Sequence, residues 1–145
     1  MLMQDQKAHE ELCVQKYQNY SNQAQDPQLK QLFSSLAQQE QQHLNSINQI
    51  LSGQLPNTQQ SQRGQQAQGY QQITGRGAMA NQADATLCND MLTTEKYISG
   101  TYDTSIFEFT DSNVRQVLNH IQKEEQEHGE KIFKYMESNG MYNPQ

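Results

Sequence analysis

The chain has 145 residues, a formal net charge of −6 and a hydrophobic fraction of 33%. That length suits one domain with one core, and an acidic chain without a Lys/Arg cluster argues against nucleic acid and anionic membranes as partners, because phosphate groups require a basic face. No apolar run approaches the roughly 18 residues of a membrane span, and the first residues lack the basic and apolar regions of a signal peptide, so we expect synthesis in the cytosol.

The first predicted element is a helical hairpin over about residues 2–52. Its first helix has a half-polar face: Glu10, Cys13, Tyr17, Tyr20, Ala24. Asp followed by Pro at positions 26 and 27 predicts an N-cap and a proline in the first turn of a second helix. The inward face of that helix repeats at three- and four-residue spacing: Leu29, Phe33, Leu36, Glu40, His43, Ile47, Ile50.

A segment over about residues 53–83 follows, rich in Gln and Gly and without a sustained period. Helices of about 22 residues are about 33 Å long, so a segment of this length can run from one end of a bundle to the other. The sequence therefore predicts the single long crossover of a ferritin-like bundle. A loose linker joining two hairpins that dimerise with other chains is the alternative.

The second hairpin is predicted over about residues 84–139, with Asp111 as the N-cap of its second helix and Gly140 just beyond its end. It repeats the first hairpin at an offset of 85 residues without a gap, and identical residues coincide at several positions: Asp5/Asp90, Glu10/Glu95, Tyr17/Tyr102, Asp26/Asp111, Glu40/Glu125, His43/His128. The fold class we predict is all-α, a ferritin-like four-helix bundle of two repeated hairpins forming one domain over 1–145.

Six of the repeated residues are polar although they lie on the inward faces of the helices: Glu10, Glu40, His43, Glu95, Glu125, His128. A Glu and a His three positions apart share one helix face and can reach one metal ion. One further Glu from each of the other two helices completes a dinuclear carboxylate set. We therefore predict two divalent ions in the core, iron or manganese, since these ligands serve both metals. The alternative is a wet, metal-free core.

Other polar residues are assigned by their place in the repeat. Glu11 and Glu124 lie beside the inward face, so Glu10 and Glu125 are preferred as ligands. The two inward tyrosines either fill the core or donate hydrogen bonds to the ligands. His9 and His120 have no counterpart, and we expect both to be exposed. Cys13 and Cys88 are expected to be free thiols near the same end of the bundle.

The stretch from Asp90 to Tyr142 resembles the coat F family of spore coat proteins. The resemblance rests on Glu-Lys-Tyr at 95–97, Tyr-Asp-Thr at 102–104, the run KEEQEHGE at 123–130 and the closing Gly-Met-Tyr. It implies a ferritin-like bundle made in the mother-cell cytoplasm and deposited on the spore coat, with other coat proteins or further copies of itself as partners. It does not imply catalysis or a metal site.

Three hypotheses of function remain. The first is a structural spore coat protein with a dinuclear metal site, and the second is an oxidase- or peroxidase-type enzyme or metal-handling protein using the same six ligands. The third is a metal-free helical interaction module. The metal content of the purified protein separates the third hypothesis from the first two, and peroxide consumption or ferrous oxidation then tests the second.

Overall fold

The computed structural model describes residues 2–56 and 82–141, which form four helices. The helices are α1 (Leu2–Gln23), α2 (Pro27–Leu51), α3 (Gln82–Phe107) and α4 (Ser112–Ser138). The predicted all-α four-helix bundle of two hairpins is confirmed. The predicted crossover lies almost wholly outside the described residues.

The turns form where the sequence predicts them. Asp26 is the N-cap of α2 and accepts the N–H of Gln28 at 3.1 Å, while Asp111 caps α4 by accepting the N–H of Asn113 at 2.9 Å. Gly53 and Gly140 follow α2 and α4 with φ angles of 83° and 68°. That left-handed conformation is costly for residues with a Cβ atom, which accounts for glycine where these helices stop.

The two hairpins pack against each other within one chain, α1 on α3 and α2 on α4, each pair antiparallel. In consequence α2 and α3 are diagonally opposite and run in the same direction. The start of α3 lies at the turn between α1 and α2, where Asp84 accepts the N–H groups of Gln25 and Asp26. The end of α2 and the start of α3 are therefore at opposite ends of the bundle, as a long crossover requires.

A surface contact on α3 also holds the α1–α3 pair. Asp90 accepts a hydrogen bond from Tyr20 at 2.6 Å and forms an ion pair with Lys16 at 3.1 Å. Burial alone would raise the pKa of Asp90, but these two partners hold it below its usual range.

Apolar side chains form two clusters, one toward each end of the bundle. The cluster at the α1–α2 turn includes Leu29, Phe33, Met91, Ile132 and Met136. The cluster at the opposite end includes Met3, Ile47, Ile98, Leu118 and Ile121. A polar layer lies between these two clusters, so apolar packing closes it off from both ends of the bundle.

The cysteines are free and buried, but they do not lie near the same end. Cys13 packs in the cluster with Ile98 and Tyr102, and Cys88 packs in the cluster at the α1–α2 turn. The prediction of a shared end was wrong because the antiparallel register of α1 and α3 sets Tyr17 against Glu95. Cys88, seven residues before Glu95, is therefore carried away from Cys13, which lies four residues before Tyr17.

None of the four helices in the described parts of the chain combines the length and the apolar character that crossing a bilayer demands.

Candidate metal centre

The polar layer at the middle of the bundle contains all six residues that the repeat singles out. Each helix contributes from its inward face: α1 and α3 one Glu each, α2 and α4 one Glu and one His each. All six side chains are at most 3% exposed: Glu10, Glu40, His43, Glu95, Glu125, His128. The convergence that the sequence predicts is therefore present in the structure.

These residues form two overlapping groups of four. Glu10, Glu40, His43 and Glu125 form one group, and Glu95 and His128 complete the other with the same Glu40 and Glu125. In each group, one potential ligand atom per residue lies within 4.8 Å of all the others. The offset of 85 residues converts one group into the other, and Glu40 and Glu125 occupy the shared positions.

The imidazole rings of His43 and His128 are nearly parallel and stacked beside the carboxylates that the two groups share. Their ring centroids are 5.5 Å apart and the rings are inclined by 17°. Nδ1 of His43 lies 2.8 Å from Glu125 and 3.2 Å from Glu40, and Nδ1 of His128 lies 2.8 Å from Glu40. Each histidine thus directs Nδ1 toward the carboxylates of the opposite hairpin.

The two inward tyrosines serve both of the roles that the sequence left open. Tyr17 and Tyr102 are fully buried, so they fill the core. Tyr17 also donates a hydrogen bond to Glu95 at 2.6 Å, and Tyr102 donates one to Glu10. Burial and the neighbouring carboxylates raise the pKa of both phenols, which keeps them protonated and able to donate.

The outer nitrogens of the histidines contact residues that the sequence did not single out. Nε2 of His43 lies 3.1 Å from Oε1 of Glu124, and Nε2 of His128 lies 2.6 Å from Oε1 of Gln39. Positions 39 and 124 are themselves related by the repeat. That relation between two polar residues, one step from the inward face, was the signal that could have identified them.

His120 also differs from its prediction. Its side chain is only 18% exposed, and its Nε2 lies 3.0 Å from Glu124, which explains why it is not at the surface. His9 is half-buried and packs edge-on against Tyr97. Glu11 is exposed, in accord with its place beside the inward face.

Burial and the neighbouring negative charges both oppose ionised carboxylates in the layer. Burial, followed by the charges of neighbouring carboxylates, raises the pKa values of Glu40 and Glu125 well above the usual range. Burial also opposes the ionised form of Glu95, but hydrogen bonds from Glu125, His128 and Tyr17 lower its pKa. Burial and the neighbouring charges therefore favour the protonated forms of Glu40 and Glu125.

Burial alone would lower the pKa of His43, but the charge of Glu125 and the contacts with Glu124 raise it well above its usual value. Burial and four nearby carboxylates raise the pKa of the Cys13 thiol, which disfavours a thiolate ligand. Carboxylates and imidazoles thus make up the donor set.

Three carboxylate oxygens in the layer are deeply buried and accept no hydrogen bond from the described residues: Oε2 of Glu10, Glu95 and Glu125. Leaving such an atom without a partner away from water is costly, and a buried carboxylate needs a cation or a donor. Glu10 and Glu95 each belong to one group, and Glu125 belongs to both. The donor chemistry of the site therefore fits cations bound at both groups.

The fold and this layer define an all-α four-helix bundle in which two copies of a helical hairpin enclose a carboxylate–histidine cluster. Residues 83–145, which include α3 and α4, match the family described as the Coat F domain. The second hairpin is therefore similar to the Coat F domain, and the resemblance drawn from the sequence is confirmed. The match covers less than half of the chain. The curated proteins and the solved structures contain no match to the chain.

Proposed function

We propose that this protein is a ferritin-like spore coat component whose core binds two divalent cations, iron or manganese. Glu10, Glu40, His43 and Glu125 would hold one ion, and Glu40, Glu95, Glu125 and His128 would hold the other. The observation that carries the proposal is the pair of four-residue groups sharing two carboxylates. Four ionised carboxylates carry the negative charge that two divalent ions balance.

The unpaired oxygens support the same conclusion. Cations at the two groups would give partners to the three buried carboxylate oxygens that accept no hydrogen bond from the described residues. The phenols of Tyr17 and Tyr102 each occupy one oxygen of a terminal Glu and leave the second free for a metal. Such contacts to the ligands orient them and fix their geometry.

A second candidate is an oxidase- or peroxidase-type enzyme or metal-handling protein at the same centre. Each group supplies four donor residues, fewer than the six ligands of octahedral manganese sites, so a small molecule can approach the ions. Bound iron or manganese would supply redox and Lewis-acid chemistry there. The chain's own contribution is to position the carboxylates and to exclude bulk water with the two apolar clusters.

Elemental analysis of protein purified from metal-replete cells tests the metal proposal. We expect about two iron or manganese ions per chain, and a loss of most of this metal in His43→Ala/His128→Ala. The matched control is Glu11→Gln, an exposed carboxylate beside the buried Glu10, which should retain full occupancy. Folded wild-type protein without bound metal under these conditions would favour the metal-free interaction module. Peroxide consumption and ferrous oxidation by the loaded protein then test the enzyme candidate.

The coat assignment has a separate test. An antibody against the chain should detect it in the coat fraction of purified spores, and in the mother-cell compartment before coat assembly. Detection only in vegetative cells would contradict a coat function while leaving the metal site untouched. The two halves of the proposal therefore succeed or fail independently.

A further inference from the structure

The ligands closest to the centre are related by the repeat without exception. Every residue of one group has an identical counterpart in the other: Glu10/Glu95, Glu40/Glu125, His43/His128. The supporting phenols of Tyr17 and Tyr102 are paired in the same way. On these residues alone, the two ions would bind with equal affinity.

The residues that contact the outer nitrogen, Nε2, of the two histidines are not identical in the two halves. Glu124 faces Nε2 of His43, whereas the related residue Gln39 faces Nε2 of His128. Both present an acceptor oxygen that suits a protonated Nε2, which would leave Nδ1, the nitrogen facing the carboxylates, as the ligand atom when a cation is bound. One support is a carboxylate and the other is a neutral amide.

We propose that the two metal positions are inequivalent, and that the position containing His43 binds its cation more tightly and fills first. This inference rests on the proposed metal function. A carboxylate behind a ligating imidazole makes that imidazole a better donor and adds a negative charge near the ion, whereas an amide does only the orienting.

Glu124 is held in place for this role. It is 4% exposed, and its Oε1 lies within 3.1 Å of ring nitrogens of both His43 and His120. Two N–H donors on one carboxylate stabilise its ionised form. His120 corresponds in the repeat to Ser35, so a second imidazole beside this position is present in one half only.

The halves also differ close to the centre at a buried residue with an ionisable side chain. Cys13 on α1 corresponds to Ile98 on α3, and both are buried. Burial and the charges of four carboxylates, two of them shared by the groups, raise the pKa of the thiol, which stays neutral. Cys13 therefore adds no charge that would favour one ion, whereas Glu124 and Gln39, which contact the two histidines directly, differ by one charge.

Isothermal titration calorimetry of the metal-free protein with manganese measures the affinities of the two positions. Loss of a supporting residue behind a ligand typically costs 10- to 100-fold in affinity, so we expect two wild-type binding events about 10-fold or more apart. Glu124→Gln, which places amides behind both histidines, should bring the affinities within about threefold of each other by weakening the tighter event. Gln39→Glu should strengthen the weaker event.

Single-position variants identify which event belongs to which histidine. His128→Ala retains the position of His43 and should bind manganese about 10-fold more tightly than His43→Ala. Adding Glu124→Gln to His128→Ala should remove that advantage, and circular dichroism checks that each variant is folded. Two wild-type events of equal affinity, insensitive to Glu124→Gln, would overturn the inequivalence alone. A wild-type protein that binds no manganese would overturn the proposed metal function itself.

Discussion

Replacement of Asp84 by Ala should separate the start of α3 from the turn of the first hairpin. Asp84 is fully buried, and its two carboxylate oxygens accept the N–H groups of Gln25 at 2.9 Å and of Asp26 at 3.0 Å. A hydrogen bond to a charged group contributes about 1.5–3 kcal/mol net. Because Gln25 is exposed and water can replace one acceptor, we expect a loss of about 3 kcal/mol for the pair.

Urea denaturation followed by circular dichroism measures this loss as a lower midpoint with an unchanged slope. Asp84→Asn, which keeps one acceptor oxygen, should lose about half as much. Asp111→Ala is the control at the other turn: its carboxylate accepts the N–H of Asn113 within its own helix, so only a cap worth about 1 kcal/mol is lost. If Asp84→Ala cost no more than Asp111→Ala, Asp84 would not be holding the two hairpins together.

Further predictions concern the core, the phenols, pH and metal removal. Leu36→Ala should reduce the free energy of unfolding by about 2–5 kcal/mol in urea melts, whereas Leu12→Ala, at a position 47% exposed, should change it little. Tyr17→Phe and Tyr102→Phe should each destabilise the metal-free protein by about 1–3 kcal/mol, because each removes a phenol that donates a hydrogen bond to a buried carboxylate; an unchanged melting temperature in both variants would contradict this role of the phenols. Because its pKa is lowered, Asp90 contributes to stability above the ordinary Asp value of about 4 and loses that contribution as pH falls through the lowered value. The difference in melting temperature between the wild type and Asp90→Asn should therefore be full at neutral pH and vanish in acid. Removal of bound metal by a chelator should lower the melting temperature, since a cation at 100 times its Kd contributes about 2.7 kcal/mol, and no shift in a metal-loaded sample would contradict binding to the folded state.

The helices and their turns were predictable because their signals are local. Aspartates cap α2 and α4, and apolar spacing fixes which face of each helix turns inward. The six central residues could be chosen because the repeat places each of them on an inward face twice. The two hairpins carry these residues at equivalent positions. When the hairpins pack antiparallel, the side chains from all four helices therefore meet at the same height in the bundle.

The residues outside that pattern depend on packing that no local signal records. Glu124 lies one position from the inward face, and whether it reaches His43 depends on the rotation of α4 about its axis and on its distance from α2. His120 is then drawn inward by Glu124. The separation of the cysteines likewise depends on the register between α1 and α3, which long-range contacts between the hairpins set.

Each group of candidate ligands takes three residues from one hairpin and a single carboxylate from the other. Neither half of the chain contains a complete set, so binding of the proposed ions would require both halves to be docked. Cation uptake would therefore report the final stage of folding, and a chain with one damaged half would release metal rather than store it.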